Sequence, residues 1–360
     1  MKFVETPEQF LRDVTQRLDE ASRAALGMIF MRGGKLPSLR KLGPEEDHAL
    51  SMLNANVGSV RKALKILDGT MVMQTRESGE YSWRFKHPTI RDAFSSLVAD
   101  EPDFMIVYLA GTRVESLLTE VTCGSMRIKG VKLIVPAEQW PQVISRLNEL
   151  DLTKSEQAEA LQEFLANRCH RDFLRLYIEQ HPRFTASLRY GSWMRYVSSV
   201  AVAARLHACR LLPAVERERF VKEARRLAVV TPDADFLDVP TIRALFRPAE
   251  IESILRDVFR KVAPKLRRIV SEMHEECIAE DADPDQHFWI FQRALRIYRS
   301  HAMSNRQALT RFSKAYSRIN RVVEKLRKRR EKMEKDLAAE PEAVAIEEPK
   351  VRSIFDDVDE

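Results

Sequence analysis

Glycine is scarce in this chain, with 11 residues in 360. That argues against a nucleotide-binding enzyme built on glycine-rich loops and for helices joined by short turns. Cysteine is scarcer still: Cys123, Cys169, Cys209 and Cys277 form no Cys-x-x-Cys pair and read as buried thiols of a reducing compartment. Three of them have a histidine close by (Cys169 with His170, His207 with Cys209, His274 with Cys277), yet no spacing matches a zinc module, so no metal site is expected. Long apolar runs are missing too. Stretches such as residues 197–204 fall far short of the roughly 20 residues of a membrane span. Glu5, Glu8, Arg12, Asp13 and Arg17 interrupt any signal peptide. The expectation is a cytoplasmic protein with no membrane partner.

Complete catalytic motifs are also lacking. A phosphate-binding P-loop needs Gly-x4-Gly-Lys-Ser/Thr. The nearest segment, Gly33-Gly34-Lys35-Leu36, has leucine after the lysine and Ile29 where the first glycine belongs. Neither a Gly-x-Ser-x-Gly elbow nor a His-Glu-x-x-His helix occurs. A calcium loop starting at Asp281 would need glycine and glutamate where Gln286 and Gln292 stand, so Asp281, Asp283 and Asp285 read as an acidic solvated turn. No catalytic centre and no cofactor are expected in this chain.

What is present suits a globular protein: 44% hydrophobic and 31% charged residues. The net charge of +6 is made of opposed blocks. Residues 183–227 hold ten Lys/Arg against three Glu, residues 321–332 seven against two, and residues 338–360 eight acids against two bases. Opposed blocks point to partner surfaces more than to one nucleic-acid groove.

Along the chain, Thr6-Pro7-Glu8-Gln9 is a capped helix start, with Phe10, Leu11, Val14 and Leu18 as its apolar face. A second helical stretch runs to about Phe30 and ends at Gly33-Gly34. Gly43-Pro44 opens the next helix, with Leu50 and Leu53 inward. Ser59 is a cap for another, whose core face is Val60, Leu64 and Leu67 and which Gly69 closes. Then the period changes. Residues 71–73 and 81–86 read as two strands around a turn at residues 77–80, with Tyr81, Trp83 and Phe85 alternating as the buried side. Helices followed by a β-hairpin are the order of a winged helix. Residues 127–135 are also strand-like. Directly after the hairpin, His87-Pro88 starts a helix with Ile90, Ala93, Phe94, Leu97 and Val98 inward. His87 is thus placed next to free backbone N–H groups, where an anion is favoured.

Beyond residue 150 the pattern is helical almost throughout. Residues 251–277 keep one apolar face with a kink at Pro264. From 309 a heptad sets in: Leu309, Phe312, Tyr316, Ile319, Val323, Leu326, then Arg330, Met333 and Leu337. The expected fold is mainly α: a winged-helix-like N-terminal domain with a β-hairpin, then a helical domain ending in a long heptad-patterned helix. Residues 1–35 would be lid-like helices, 36–150 the winged-helix-like domain with a short α/β extension, 151–337 the helical interaction domain, and 338–360 a disordered acidic tail. The long helix suits helix-mediated oligomerisation.

A winged helix can read DNA with its second helix, which here exposes Arg61, Lys62 and Lys65. Arg189-Tyr190 and Trp193-Met194-Arg195-Tyr196 interleave bases with aromatics, as in single-strand binders and equally in a helix with a buried aromatic face. The run Lys325–Lys332 lies on the heptad helix and reads as a solvated or salt-bridged face.

Trp83-Arg84-Phe85-Lys86-His87-Pro88-Thr89-Ile90-Arg91-Asp92-Ala93-Phe94, with Tyr108-Leu109-Ala110-Gly111-Thr112 and Val121-Thr122-Cys123-Gly124 downstream, resembles a recurrent segment of bacterial STAND P-loop NTPases, most of all the novel-STAND subgroup. The resemblance covers about residues 5–150. It implies a helical lid (7–31) and a winged helix (44–100) that follow a nucleotide-binding domain, then a variable sensor. It also implies that His87, with Thr89 and Arg91 beside it, senses the phosphate of bound ADP in a closed, inactive state. ADP or ATP would bind only once an NTPase domain completes the site, because this chain has no Walker A lysine. The expected partners are therefore a P-loop NTPase domain or subunit and a protein trigger or effector, in bacterial defence or stress signalling. The chain would be a C-terminal piece, a separately encoded half, or a remnant. The rival expectation is a winged-helix nucleic-acid-binding regulator with a helical oligomerisation domain.

Overall fold

Helices make up most of the described residues, 72% helix against 7% strand. The computed structural model describes residues 7–37, 39, 42–77, 79–126 and 133–339. The chain divides into two compact units. One runs to Leu227 and includes Asp235–Glu250; the other comprises Ala228–Ala234 and the residues from Ile251 on.

In the first unit α1 (Pro7–Gln16) and α2 (Glu20–Met31) lead. Thr6, the expected cap of α1, lies outside the described residues. Leu11, Val14 and Leu18 pack against the core, whereas Phe10 is exposed, a correction to the expected face. Asp19 caps α2 by accepting the Ser22 N–H at 2.8 Å. Ala24 to Met31 are all buried, so α2 is the central helix of this unit. Gly33 and Gly34 end it with φ of +67° and +92°, and the Gly34 N–H reaches back to the Ile29 carbonyl at 2.9 Å.

That turn delivers the chain into β1 (Lys35–Leu36), followed by α3 (Pro44–Met52), α4 (Val57–Leu67), β2 (Val72–Glu77) and β3 (Glu80–Phe85). The sheet is antiparallel with order β1-β3-β2. The order of helices and strands is winged-helix-like, with the β2–β3 hairpin in the place of the wing. Two residues show no periodicity, so β1 is invisible in the sequence. The cap of α4 is Asn56, not Ser59: Asn56 accepts the Ser59 N–H, and the Ser59 hydroxyl in turn accepts the Asn56 N–H, both at 3.0 Å. The wing corrects the expected alternation as well. Trp83 and Phe85 pack on the core, but Tyr81 is exposed under the Arg76 guanidinium, and Ser82 is buried because its hydroxyl meets that of Thr75.

The polypeptide continues through α5 (Pro88–Asp100), α6 (Pro102–Gly111) and α7 (Val114–Glu120) to β4 (Val121–Cys123), which pairs in parallel with β5 (Leu133–Val135). Of the strand expected at 127–135, residues 127–132 lie outside the described residues. Then come α8 (Trp140–Leu147), α9 (Ser155–Asn167), α10 (Arg171–Gln180), α11 (Phe184–Ser187), α12 (Ser198–Ala208), α13 (Ala214–Val230), α14 (Asp235–Asp238) and α15 (Pro240–Arg243). One apolar core extends from Ala24 to Cys209. The helix considered for residues 189–196 is not formed there. Trp193 holds a left-handed φ of +60°, and Met194–Tyr196 make a single 3-10 turn.

The second unit takes up α16 (Pro248–Lys261) from Ile251 on, a 3-10 turn at Ala263–Lys265 that carries Pro264, α17 (Leu266–Ala279), α18 (Pro284–His301) and α19 (Arg306–Ala339). Pro264 interrupts the apolar face of 251–277 as its missing N–H requires. On α19 Phe312, Ile319, Val323 and Leu326 are buried, while Met333 is 52% exposed, so the heptad seam fades toward the C-terminal end. Asp281, Asp283 and Asp285 are held by Arg330 and Arg327 of α19. Of the acidic tail expected at 338–360, residues 338 and 339 still belong to α19, and residues 340–360 lie outside the described residues.

Candidate functional site

His87 ends the wing and begins α5. Its backbone is extended (φ −140°, ψ 144°) and Pro88 occupies the first helical position. The imidazole Nδ1 accepts the Thr89 N–H at 3.2 Å and lies 2.8 Å from the Thr89 hydroxyl. An accepting Nδ1 puts the proton of the neutral ring on Nε2. The residue is exposed.

The free backbone donors expected beside His87 are not there. Pro88 has no N–H, the Thr89 N–H is spent on the imidazole, and the Ile90 N–H bonds the His87 carbonyl at 3.1 Å. The junction therefore offers an anion side-chain donors at the positive end of a helix dipole. These are the His87 Nε2–H and, one turn on, the exposed Arg91 guanidinium. Thr89 serves His87 rather than a ligand.

Arg91 connects this turn to a second one. Its Cδ and Nε lie 3.9 Å from where a Cβ would stand on Gly34, and Glu120 Oε1 is 3.3 Å from the corresponding point on Gly33. The other oxygen of Glu120 accepts the Tyr108 hydroxyl at 2.7 Å. Burial raises the Glu120 carboxyl above its ordinary value, against the lowering effect of the Tyr108 hydrogen bond and the Arg91 charge. Burial, and then the Glu120 charge, push the Tyr108 phenol well up. The structure thus joins Thr89 to His87 by hydrogen bonds and sets Arg91 beside the Gly33-Gly34 turn. Glu120 and Tyr108 were not read from the sequence: a contact across 12 residues has no period to betray it.

The segment nearest to a P-loop turns out to run in the opposite sense. Gly33-Gly34-Lys35-Leu36 leads from a helix into a strand, whereas a P-loop leads from a strand into a helix. Other residues of the motif segments have packing work. Phe94 is fully buried among Phe30, Phe85 and Phe104 at centroid distances of 5.4, 6.3 and 5.9 Å. A Cβ on Gly111 would collide with Met31 Sδ and with Ala49 Cβ, and one on Gly124 would come within 2.7 Å of His170 Cβ.

Arg61, Lys62 and Lys65 are all exposed on α4, the second helix of the pair, and no carboxylate among the described residues pairs with them. Ile66 beside them is 75% exposed. The aromatics of 189–196 are less available. Tyr190 packs on Phe220 (4.9 Å) and under Arg219 (5.4 Å), and Arg195 is tied to Asp235 and Asp238. All four cysteines are buried, and burial with the Cys123 contact pushes the Cys169 thiol well up. Among the described residues no group of three or more His, Cys, Asp or Glu could hold a metal ion, and no helix is long and apolar enough to cross a membrane.

No family model matches this sequence, and neither curated proteins nor solved structures give a match. The class is accordingly set by the fold alone: a mainly helical protein with a small three-stranded antiparallel sheet and a long C-terminal helix.

Proposed function

We propose that this chain is the regulatory and sensor part of a STAND-type, nucleotide-switched signalling system in bacterial defence. In this reading it catalyses nothing alone, and a P-loop NTPase domain, in the same polypeptide or in trans, supplies ADP or ATP. The observation that carries it is the exposed His87 at the wing-to-helix junction, with Nδ1 accepting the Thr89 N–H and the exposed Arg91 four residues on. An imidazole N–H and a guanidinium at a helix N-terminus are complementary to a terminal phosphate. A winged helix that docks on bound ADP through these groups favours one of two packings, and exchange to ATP favours the other.

The test is ADP retention by the complex reconstituted with its P-loop NTPase domain. His87→Asn keeps a side-chain oxygen that can cap α5 but removes the imidazole donor. It is expected to leave stability within about 0.5 kcal/mol of the parent while ADP release accelerates. Unchanged release in both His87→Asn and His87→Ala removes His87 from the switch.

A second reading, a winged-helix nucleic-acid-binding regulator, is favoured by the exposed, unpaired Arg61, Lys62 and Lys65 on α4. Under it, replacing all three by glutamine weakens duplex binding and flattens its salt dependence.

A further inference from the structure

The second unit carries a charge pattern that neither reading uses. α19 has twelve Lys/Arg, and eight of them fall at two heptad positions filled without exception over four heptads. One position is Arg311, Arg318, Lys325 and Lys332; the other is Lys314, Arg321, Lys328 and Lys335. Steps of three and four residues place all eight on one face of the helix, over a length of roughly 36 Å. The buried seam of Phe312, Ile319, Val323 and Leu326 lies on another face, and so do Arg327 and Arg330 with their carboxylates on the α17–α18 turn. Along the stripe itself, the ion pair found among the described residues is Lys328 with Glu324, at 2.7 Å.

At its N-terminal end the stripe becomes one wall of a groove of about 600 Å³. Arg311, Lys314, Arg318 and Arg321 line it from α19, and Arg267 lines it from the start of α17, across the break made by Pro264. Five cations and no carboxylate face this space. Ser313, Ser317 and Ala315 complete the α19 wall, so it offers no large apolar side chain.

We infer that this stripe and groove bind the phosphodiester backbone of a nucleic-acid duplex. A regular ladder of cations over this length matches a ladder of phosphates. A protein partner would call for an apolar, aromatic-rich centre, and a membrane for an apolar face beside the basic one. The stripe has neither. Contact is to phosphate, independent of base sequence, and geometrically distinct from α4 of the winged helix.

Fluorescence anisotropy of the full chain with a random 30-base-pair duplex tests this, with potassium chloride stepped from 50 to 200 mM. Eight phosphate contacts give a log–log salt slope near −7 and a loss of affinity on the order of 10⁴-fold over that range. Arg311→Gln, Lys314→Gln, Arg318→Gln and Arg321→Gln together are expected to flatten the slope by about 4. The Arg↔Lys swap at the same four positions, which keeps charge, should retain most of the binding and so separates charge loss from misfolding. Binding that survives the four glutamines but is lost with Arg61→Gln, Lys62→Gln and Lys65→Gln would assign the duplex to α4 and overturn the inference. Absence of duplex binding at 50 mM salt would overturn it too, as would binding to phosphatidylserine vesicles or polyglutamate in preference to the duplex.

Discussion

Two buried glycines should respond to the same chemical change with opposite sign. Gly27 lies inside α2, and a Cβ there would stand 3.5 Å from Met31 Cε, 3.8 Å from Phe94 Cζ and 4.0 Å from Leu53 Cδ1. These are ordinary van der Waals distances to the ends of side chains. Gly27→Ala therefore gains the helix preference of alanine, about 1 kcal/mol, and buries a methyl group without displacing anything. Gly111 ends α6, and a Cβ there would stand 2.5 Å from Ala49 Cβ, with Met31 Sδ closer still. Met31 can swing aside, but Ala49 Cβ moves only with the backbone of α3. Overpacking of that kind costs about 1–3 kcal/mol, and the helix preference at a terminal position offsets little of it. For a unit of this size 1 kcal/mol corresponds to about 2–4 °C in Tm. Differential scanning calorimetry should show Gly27→Ala raising Tm by about 2–4 °C and Gly111→Ala lowering it by about 4–8 °C. A neutral Gly111→Ala, or a destabilising Gly27→Ala, would refute the packing of α3, α6 and α2 described above.

Glu46, almost fully buried, takes a bidentate pair from Arg32 and the Gly43 N–H at 2.6 Å. Glu46→Ala removes both carboxylate bonds from the largely buried Arg32 guanidinium and should cost about 3–5 kcal/mol in urea unfolding, whereas Arg32→Met with Glu46→Met should cost less than either change alone. Glu120 supplies a pH signature. Its carboxyl is raised in the folded state, so folding favours its protonated form; that stability is present below the unfolded value and is lost as pH rises through the folded one. Glu120→Gln cannot ionise, and its stability relative to the parent should increase with pH across the acid range. Parallel pH profiles for the two proteins would show that Glu120 is not desolvated.

Periodicity made the buried faces of α4, α5 and α19 and the break at Pro264 legible, because each repeats over several turns. Features resting on one pair of residues were not. Glu46 sits in Pro44-Glu45-Glu46-Asp47, where three acids look alike until Arg32 arrives from 14 residues upstream. Tyr81 and Ser82 exchange their expected sides because Ser82 finds Thr75 across the wing. His87 was recognisable as a helix start, but not that its own ring would consume a backbone donor. The α19 stripe was only partly visible: the dense run Lys325–Lys332 masks the seven-residue spacing that begins at Arg311.

Cys123 has a strand neighbour on each side, Val135 and Cys169. Its N–H reaches the Arg168 carbonyl at 2.9 Å, and its carbonyl accepts the His170 N–H at 2.8 Å. Severing the polypeptide after residue 150 would orphan both of these buried groups, at about 1–3 kcal/mol each. It would also strip Phe173 from Trp140. The N-terminal part of this protein is therefore not a detachable cassette: β4 is stitched into the helices that follow, and any tilt of that strand must be accommodated at residues 168–170.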